Sequence, residues 1–505
     1  MTNEFVSQKR IVINTSMLYF RMLLIMAISL YTSRIILQVL GVVDYGIYNV
    51  VGGVVTMLGF LNSSLSTATQ RYLNYEMGKG NLSGLQKVFS MSFLGFVLIA
   101  LVALCLAESI GLWFVYHKLI IPIERFRTAV WVYHFSVLTF MVNLLVVPYN
   151  AAIIAHEKMS VYAYVSIGEV VLKLLLVFLL QIIVYDKLLL YAIMMFVTAC
   201  IVAFSYRFYC IRVFSECRLC WCWDKELLKG IFSFSGWMLT GTISNLFSTQ
   251  GVNILMNMFF GPIVNAARAI AVQVHTAVNS FVANFMTAVR PQIVKSYSQG
   301  KIEYMYHLVF SASKFSFFLL FILVIPILFN TELILRLWLK TVPDYAVLFT
   351  RLLLIDLLIN ATYNPIAYVS QASGKIRDYQ LVISIGFLLI IILTWLAFFY
   401  EYPVYFAFVI AIGIDMLGLF SRLWVLKKIV DFPVRRYLKL VCVPTLLVLS
   451  VSIVCAYLPY IWFEITDLLS LLFYVFWCIG LTTIFIWHLG LNAQEKRIIF
   501  QTIKH

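Results

Sequence analysis

Apolar stretches long enough to cross a bilayer follow one another from end to end of this chain, separated by short polar segments. Hydrocarbon needs about 20 consecutive apolar residues in a helix, so each stretch predicts a membrane-spanning helix. Fourteen are predicted, near 11–38, 45–69, 87–107, 125–150, 160–184, 188–207, 230–256, 264–289, 304–329, 343–369, 379–400, 403–426, 438–459 and 466–489. The fold class that follows is all-α and polytopic. The longest hydrophilic connection, 208–229, leaves no room for a soluble domain. An enzyme acting at the membrane surface generally needs a sizeable loop to hold its catalytic groups, so the pattern favours transport over chemistry.

One span departs from plain hydrophobicity. In 261–301, GPIVNAARAIAVQVHTAVNSFVANFMTAVRPQIVKSYSQGK, the polar residues Asn265, Arg268, His275 and Asn279 recur at spacings of three, seven and four. Those intervals return to one helical face. Lipid cannot solvate such a stripe, so it faces protein or water. Either it lines an aqueous cavity, with Arg268 offering charge to an anionic passenger, or the asparagines join neighbouring helices and Arg268 snorkels to the surface.

Other ionisable residues fall inside spans, where each costs about 2.5–3.5 kcal/mol on insertion scales. Arg21 lies eleven residues past Arg10, about 16 Å deeper, a depth that calls for a cavity or a buried partner. Arg34 and Arg422 lie near helix ends, where snorkelling is the default. Glu169 and Lys173 stand four apart, acid first, the better order for a helical ion pair; mutual neutralisation competes with a proton-relay role for Glu169. Asp356 is expected to pair with Lys314 across helices or to take up a coupling proton or cation, and Asp415 similarly, with Arg422 two turns away. Pro148, Pro326 and Pro365 interrupt spans, as static kinks or as hinges.

The halves repeat weakly. Sliding 41–81 onto 261–301, an offset of 220, superposes Gly41 on Gly261, Thr67–Ala68 on Thr287–Ala288 and Gly80 on Gly300. At an offset of 217, Pro148, Lys158 and Tyr162 fall on Pro365, Lys375 and Tyr379. Six spans duplicated in parallel, with two appended, are expected, and the first, second, seventh and eighth spans are the natural walls of a cleft between the halves. The domain organisation expected is an N-terminal lobe over 1–207, a linker over 208–229, a C-terminal lobe over 230–428 and two further spans with a tail over 429–505.

Composition sharpens this picture. Of 505 residues, 63 % are hydrophobic and only 12 % charged, against about a quarter charged in soluble domains. The net charge of +15 invites a nucleic-acid reading until the charges are placed. With the N-terminus inside, the cytoplasmic segments hold 24 of the 37 Lys and Arg and the opposite side six. This asymmetry accounts for the charge without nucleic acid, puts both termini in the cytoplasm and suits anionic lipid heads. Cys217, Cys220 and Cys222 lie in CRLCWCW without a nearby histidine; reduced thiols are expected rather than a zinc site. The seven histidines show no metal spacing, and there is no phosphate-cradling glycine loop or nucleophile motif. No metal, cofactor or enzymatic activity is expected.

The stretches GVVDYGIYNVVGGVVTMLGFLNSSLSTATQRYL (41–73), FFGPIVNAARAIAVQV (259–274) and VRPQIVKSY (289–297) resemble bacterial polysaccharide-export flippases of the multidrug, oligosaccharidyl-lipid and polysaccharide exporter superfamily. The resemblance implies two parallel six-helix lobes around a central cavity, plus two C-terminal helices, in a bacterial inner membrane. It implies passage of undecaprenyl-pyrophosphate-linked oligosaccharide, for O-antigen or capsule, by alternating access with H⁺ or Na⁺ coupling, and a polysaccharide polymerase as partner. Lipid II flippases in the superfamily use arginines of the first, second and eighth helices. Arg21 or Arg34 and Arg268 match by position, joined on the polar stripe by Asn265, His275 and Asn279, whereas the second span here carries no interior arginine. The resemblance also implies a lipid-tail groove over 438–489. Asp356, Glu169 and Asp415 are the candidates for ion coupling. The rival readings are a multidrug or cation antiporter of the same superfamily and, further off, a polysaccharide polymerase or ligase.

Overall fold

The structure is a computed structural model that describes residues 2–56, 60–117, 121–183, 185–220, 223–339, 342–459, 465–493 and 495–497. Some side chains in the first two helices and after Gly261 lie outside the description, that of Arg34 among them. Every regular element among the described residues is helical. The chain divides into two compact units, an N-terminal one over Ile13–Leu239 and a C-terminal one over Thr240–His505 with Met1–Val12.

The N-terminal unit holds α1 (Thr2–Thr56), α2 (Phe60–Lys79), α3 (Leu82–His117), α4 (Ile123–Ala155), α5 (Met159–Ile182) and α6 (Lys187–Val213), and α7 (Lys225–Phe260) begins in it. The C-terminal unit continues with α8 (Pro262–Ser298), α9 (Ile302–Phe329), the short α10 (Thr331–Leu339), α11 (Ala346–Ser373), α12 (Arg377–Phe399), α13 (Phe406–Val430), α14 (Val434–Tyr457) and α15 (Leu468–Gly490). Ten of these, α3 to α6, α9 and α11 to α15, are long and apolar enough to cross a membrane. Helices α2, α7 and α8 have the length, but serines, threonines, asparagines and glutamines interrupt their apolar runs. Those polar positions need a partner other than lipid.

The weak repeat is written in the backbone. Gly41 breaks α1 at φ 76°, ψ 169°, and Gly261 separates α7 from α8 at φ 82°, ψ −177°. Gly80 and Gly300 close α2 and α8 at φ 71° and 72°. Both closures use the same pair of hydrogen bonds: Gly80 to Met77 and Asn81 to Glu76 in one, Gly300 to Tyr297 and Lys301 to Ser296 in the other. This is the left-handed C-terminal cap that glycine enters without a Cβ clash. At the offset of 217, Glu157 after α4 and Gly374 after α11 both turn left-handed, at φ 60° and 78°. The proline positions differ: Pro148 lies inside a continuous helix, whereas Pro365 sits in a 3₁₀ turn, Asn364–Ile366, that tightens α11.

In the N-terminal unit α4 packs against α2, α3 and α6. In the C-terminal unit α9 is the central rod, touching α8, α11, α14 and α15. The segment after α6 is docked rather than loose. A 3₁₀ turn, Ser215–Cys217, lies on α3; Gln86 Nε2 donates to the Arg218 carbonyl at 2.9 Å and the Cys220 N–H to Ser90 Oγ at 3.0 Å. His156 pairs with Glu216 while its ring stacks on Phe214, 3.9 Å between centroids. Burial pushes the Glu216 carboxyl up, but the His156 contact and a backbone hydrogen bond outweigh it and hold it below its ordinary value. Cys217 is a free thiol, as expected, whereas Cys220 is disulfide-bonded, which corrects the expectation there; Cys222 lies outside the described residues.

Candidate functional site

The spacing rule that singles out α8 builds a site on other helices as well. On α1, Arg21, Ile25, Ser29, Thr32 and Ile36 recur at steps of four and three and share one face. On α5, Tyr162, Ser166, Glu169, Lys173 and Val177 do the same. These faces, with Asn143 and Asn150 of α4 and Tyr191 and Tyr206 of α6, line a pocket of about 620 Å³ within the N-terminal unit. That volume is far above what one water needs and falls in the range of small-molecule sites.

The pocket's chemistry is set by three charges. The Arg21 guanidinium stands 4.4 Å over the Tyr162 ring and donates to its hydroxyl at 3.5 Å, while its Nε has no partner among the described residues. No carboxylate pairs with it there. Glu169 and Lys173 form the expected ion pair, Nζ to Oε1 2.6 Å, each about one-third exposed in the pocket wall. Ser166 Oγ lies 3.5 Å from the Tyr206 hydroxyl, and Asn150 Oδ1 is buried without a partner among the described residues. Two cations and one anion leave a net charge of one plus. A ring face under a guanidinium holds the cation in place without neutralising it.

The α8 stripe lies in the C-terminal unit. Arg268 Nη1 donates to Asn253 Oδ1 at 3.1 Å and Nη2 to the Thr249 carbonyl at 3.0 Å, both on α7, so the guanidinium is bound to neutral oxygens. The Asn265 Oδ1 is buried and unpartnered among the described residues, and His275 and Asn279 follow on the same helix, half-buried. The sequence pattern joins Arg21, Arg34, Arg268, Asn265, His275 and Asn279 in one cavity. The structure describes Arg21 in one unit and the α8 residues in the other, with the Arg34 side chain outside the described residues.

Asp356 does not pair with Lys314. Lys314 instead meets Glu495 beyond α15 at 2.6 Å, both almost fully buried, because the chain after Gly490 folds back onto α9. Asp356 and Asp415 share one amide: Asn360 Nδ2 donates to Asp356 Oδ2 at 3.0 Å and to Asp415 Oδ2 at 3.3 Å, and the Tyr363 hydroxyl donates to Asn360 Oδ1. Arg422 is buried rather than snorkelling; it lies 3.8 Å from Asp415 and 4.0 Å over the Tyr363 ring. Two carboxyl groups thus share one amide and one guanidinium, and Asp356 Oδ1 has no partner among the described residues.

Sequence reasoning named Arg21 and Glu169 but missed Tyr162, Ser166, Asn143, Asn150 and Tyr206. The signal was present: Tyr162, Ser166, Glu169 and Lys173 step by four, three and four along α5.

No family model matches the sequence, and no curated protein matches it. Solved structures do. An outward-facing multidrug resistance MATE family transporter of the MOP superfamily superposes with a TM-score of 0.71 at 12 % identity, covering 84 % of this chain and 96 % of that one. An Asp-to-Asn mutant of the Vibrio cholerae MATE transporter VcmN gives 0.63 at 17 % identity, covering 85 % and 99 %. A MOP superfamily transporter from Pyrococcus furiosus, described as having a binding pocket of reverse polarity, gives 0.66 at 12 % identity, covering 84 % and 96 %. The chain has the MATE fold.

Proposed function

We propose that this chain is an alternating-access transporter that moves the anionic, hydroxyl-rich head of a lipid-linked oligosaccharide across a bacterial inner membrane. The observation that carries this reading is the lone guanidinium of Arg21 in a pocket of net positive charge, ringed by asparagine, serine and tyrosine. A pyrophosphate bearing sugars cannot enter hydrocarbon without losing its water. Arginine replaces that solvation with forked, permanently charged donors, while amides and hydroxyls meet the sugars. The polyprenyl tail stays in lipid.

Undecaprenyl pyrophosphate is the carrier this reading names, with O-antigen or capsule repeat units as cargo and a polymerase as the consumer. The resemblance at 41–73 and 259–297 and the basic cytoplasmic segments support it, with both termini in the cytoplasm. Asp356 and Asp415 are the groups through which H⁺ or Na⁺ would couple to transport, since one amide joins the two carboxyl groups and Asp356 Oδ1 is left to take a proton or cation.

The second reading is a multidrug or cation antiporter, favoured by the MATE fold and the multidrug transporter that shares it. Charge weighs against it: a cationic drug needs an unpaired carboxylate, and the one acid among the pocket's described lining residues is held by Lys173. The test is complementation of a strain whose glycan export depends on this chain. Arg21→Ala is expected to insert, to abolish export and to leave lipid-linked repeat units on the cytoplasmic leaflet. Normal export by Arg21→Ala, or drug efflux by the wild type without glycan export, would end the flippase reading.

A further inference from the structure

The mutual neutralisation of Glu169 and Lys173 does not explain why the pair sits where it does. The fold does not require it: at the offset of 217 the corresponding α12 positions are Gly386 and Ile390, which line a gap of only about 20 Å³. The charged pair therefore belongs to the pocket rather than to helix packing.

Its height in the pocket is informative. Helices α1 and α5 run side by side in the same direction, because Arg21 stands over Tyr162 at one end while Ile35 and Ile36 pack with Val177 and Leu180 at the other. Lys173 lies eleven residues beyond Tyr162, about 16 Å further along the helix. One pocket is thus lined by a cation near each end. An ammonium carries three donors, and Glu169 takes one of them.

We infer that Lys173 is a second anion station, to which the cargo's phosphate passes from Arg21, and that Glu169 keeps this station weak enough to release it. This rests on the proposed reading of the pocket as an anion site. The Lys173 ammonium bonds the arriving phosphate with its spare donors while the neighbouring carboxylate repels it. Arg21 captures; Lys173 draws the head along; Glu169 stops it from staying.

The test uses the full chain in zwitterionic nanodiscs, titrated calorimetrically with farnesyl pyrophosphate, alongside glycan export in the dependent strain. Glu169→Gln is expected to bind the probe about two- to fivefold tighter, the scale of one exposed ion pair, and to export less. Lys173→Met is expected to bind about two- to fivefold more weakly, since Glu169 is then unmasked while capture stays with Arg21, and to lose export, and Lys173→Arg to restore both. The double variant, Glu169→Gln with Lys173→Met, removes both charges together and guards against misfolding of either single one. It is expected to melt with the wild type and not to export. Export at the wild-type rate by the double variant, or weaker binding by Glu169→Gln, would overturn the inference. If Arg21→Ala loses the probe while the 169 and 173 variants export normally, only the second station fails. If Arg21→Ala binds like the wild type, the pocket reading itself fails.

Discussion

At matching positions of the two repeats, one unit carries a pocket of about 620 Å³ and the other a gap of about 20 Å³. Ser166, Glu169, Val170 and Lys173 line the first; Ile383, Gly386, Phe387 and Ile390 line the second, each at the offset of 217. Tyr162 answers to Tyr379, but the place of Arg21 is taken by Gly241. There Gln380 stands so close that a Cβ would meet its Oε1 at 2.2 Å. Asn143 lines the pocket in one repeat, and its counterpart Asn360 ties Asp356 to Asp415 in the other. The same scaffold is thus used twice. In the N-terminal unit polar groups line a space large enough for water and a small molecule; in the C-terminal unit Asn360, Asp356, Asp415 and Arg422 bond mainly to one another beside a nearly closed gap. A buried charge with a fixed partner is a matter of stability, whereas a solvated charge without one is available to a ligand.

That contrast can be broken experimentally, most forcefully in the closed unit. Glu495→Ala leaves the Lys314 ammonium buried and unpaired, which costs about 3–5 kcal/mol. Urea or thermal unfolding in detergent should register the loss, and Lys314→Met combined with Glu495→Met should recover most of it. Asp415→Ala takes the nearer carboxylate from Arg422 but leaves it the charge of Asp356 and the Tyr363 ring, so the cost should be smaller, about 0.5–2 kcal/mol. In the N-terminal unit the sign of the contrast reverses. Arg21→Ala removes one ring contact and one long hydrogen bond, so stability should change by no more than about 1 kcal/mol. Its affinity for a polyprenyl pyrophosphate should nonetheless fall about 10- to 100-fold, the scale of charged hydrogen bonds.

The smallest expected effect lies at the rim of the N-terminal unit. Glu216 titrates below its ordinary value in the folded chain, so the unfolded chain binds more protons in the window between the two values. Its contribution is complete above the ordinary carboxylate range and is lost as pH falls through the folded value. Glu216→Gln should flatten that acid limb by lowering stability slightly at neutral pH, and should leave the acid end of the profile nearly unchanged.

Helix type was legible because a bilayer demands long apolar runs, and α9 and α12 declare themselves by composition. The duplication was faint in residue identity yet clear in the glycines, since Gly41 and Gly261, like Gly80 and Gly300, are held by backbone angles that few other residues adopt. Charge partners were harder to read. Lys314 finds Glu495 across nearly two hundred residues because the tail folds back, and no periodicity encodes that return. Arg422 lies near a helix end and reads as snorkelling, but Tyr363 and Asp415 give it a buried seat. The pocket escaped because its polar face was sought on α8 alone, while α1 and α5 carry the same step of three and four.

Native mass spectrometry of the protein purified from its own cells examines the anionic-pocket account most directly. It predicts a pyrophosphate-linked glycan bound to the wild type and absent from Arg21→Ala. Equal occupancy in both proteins, or a cationic amphiphile held in its place, would contradict it.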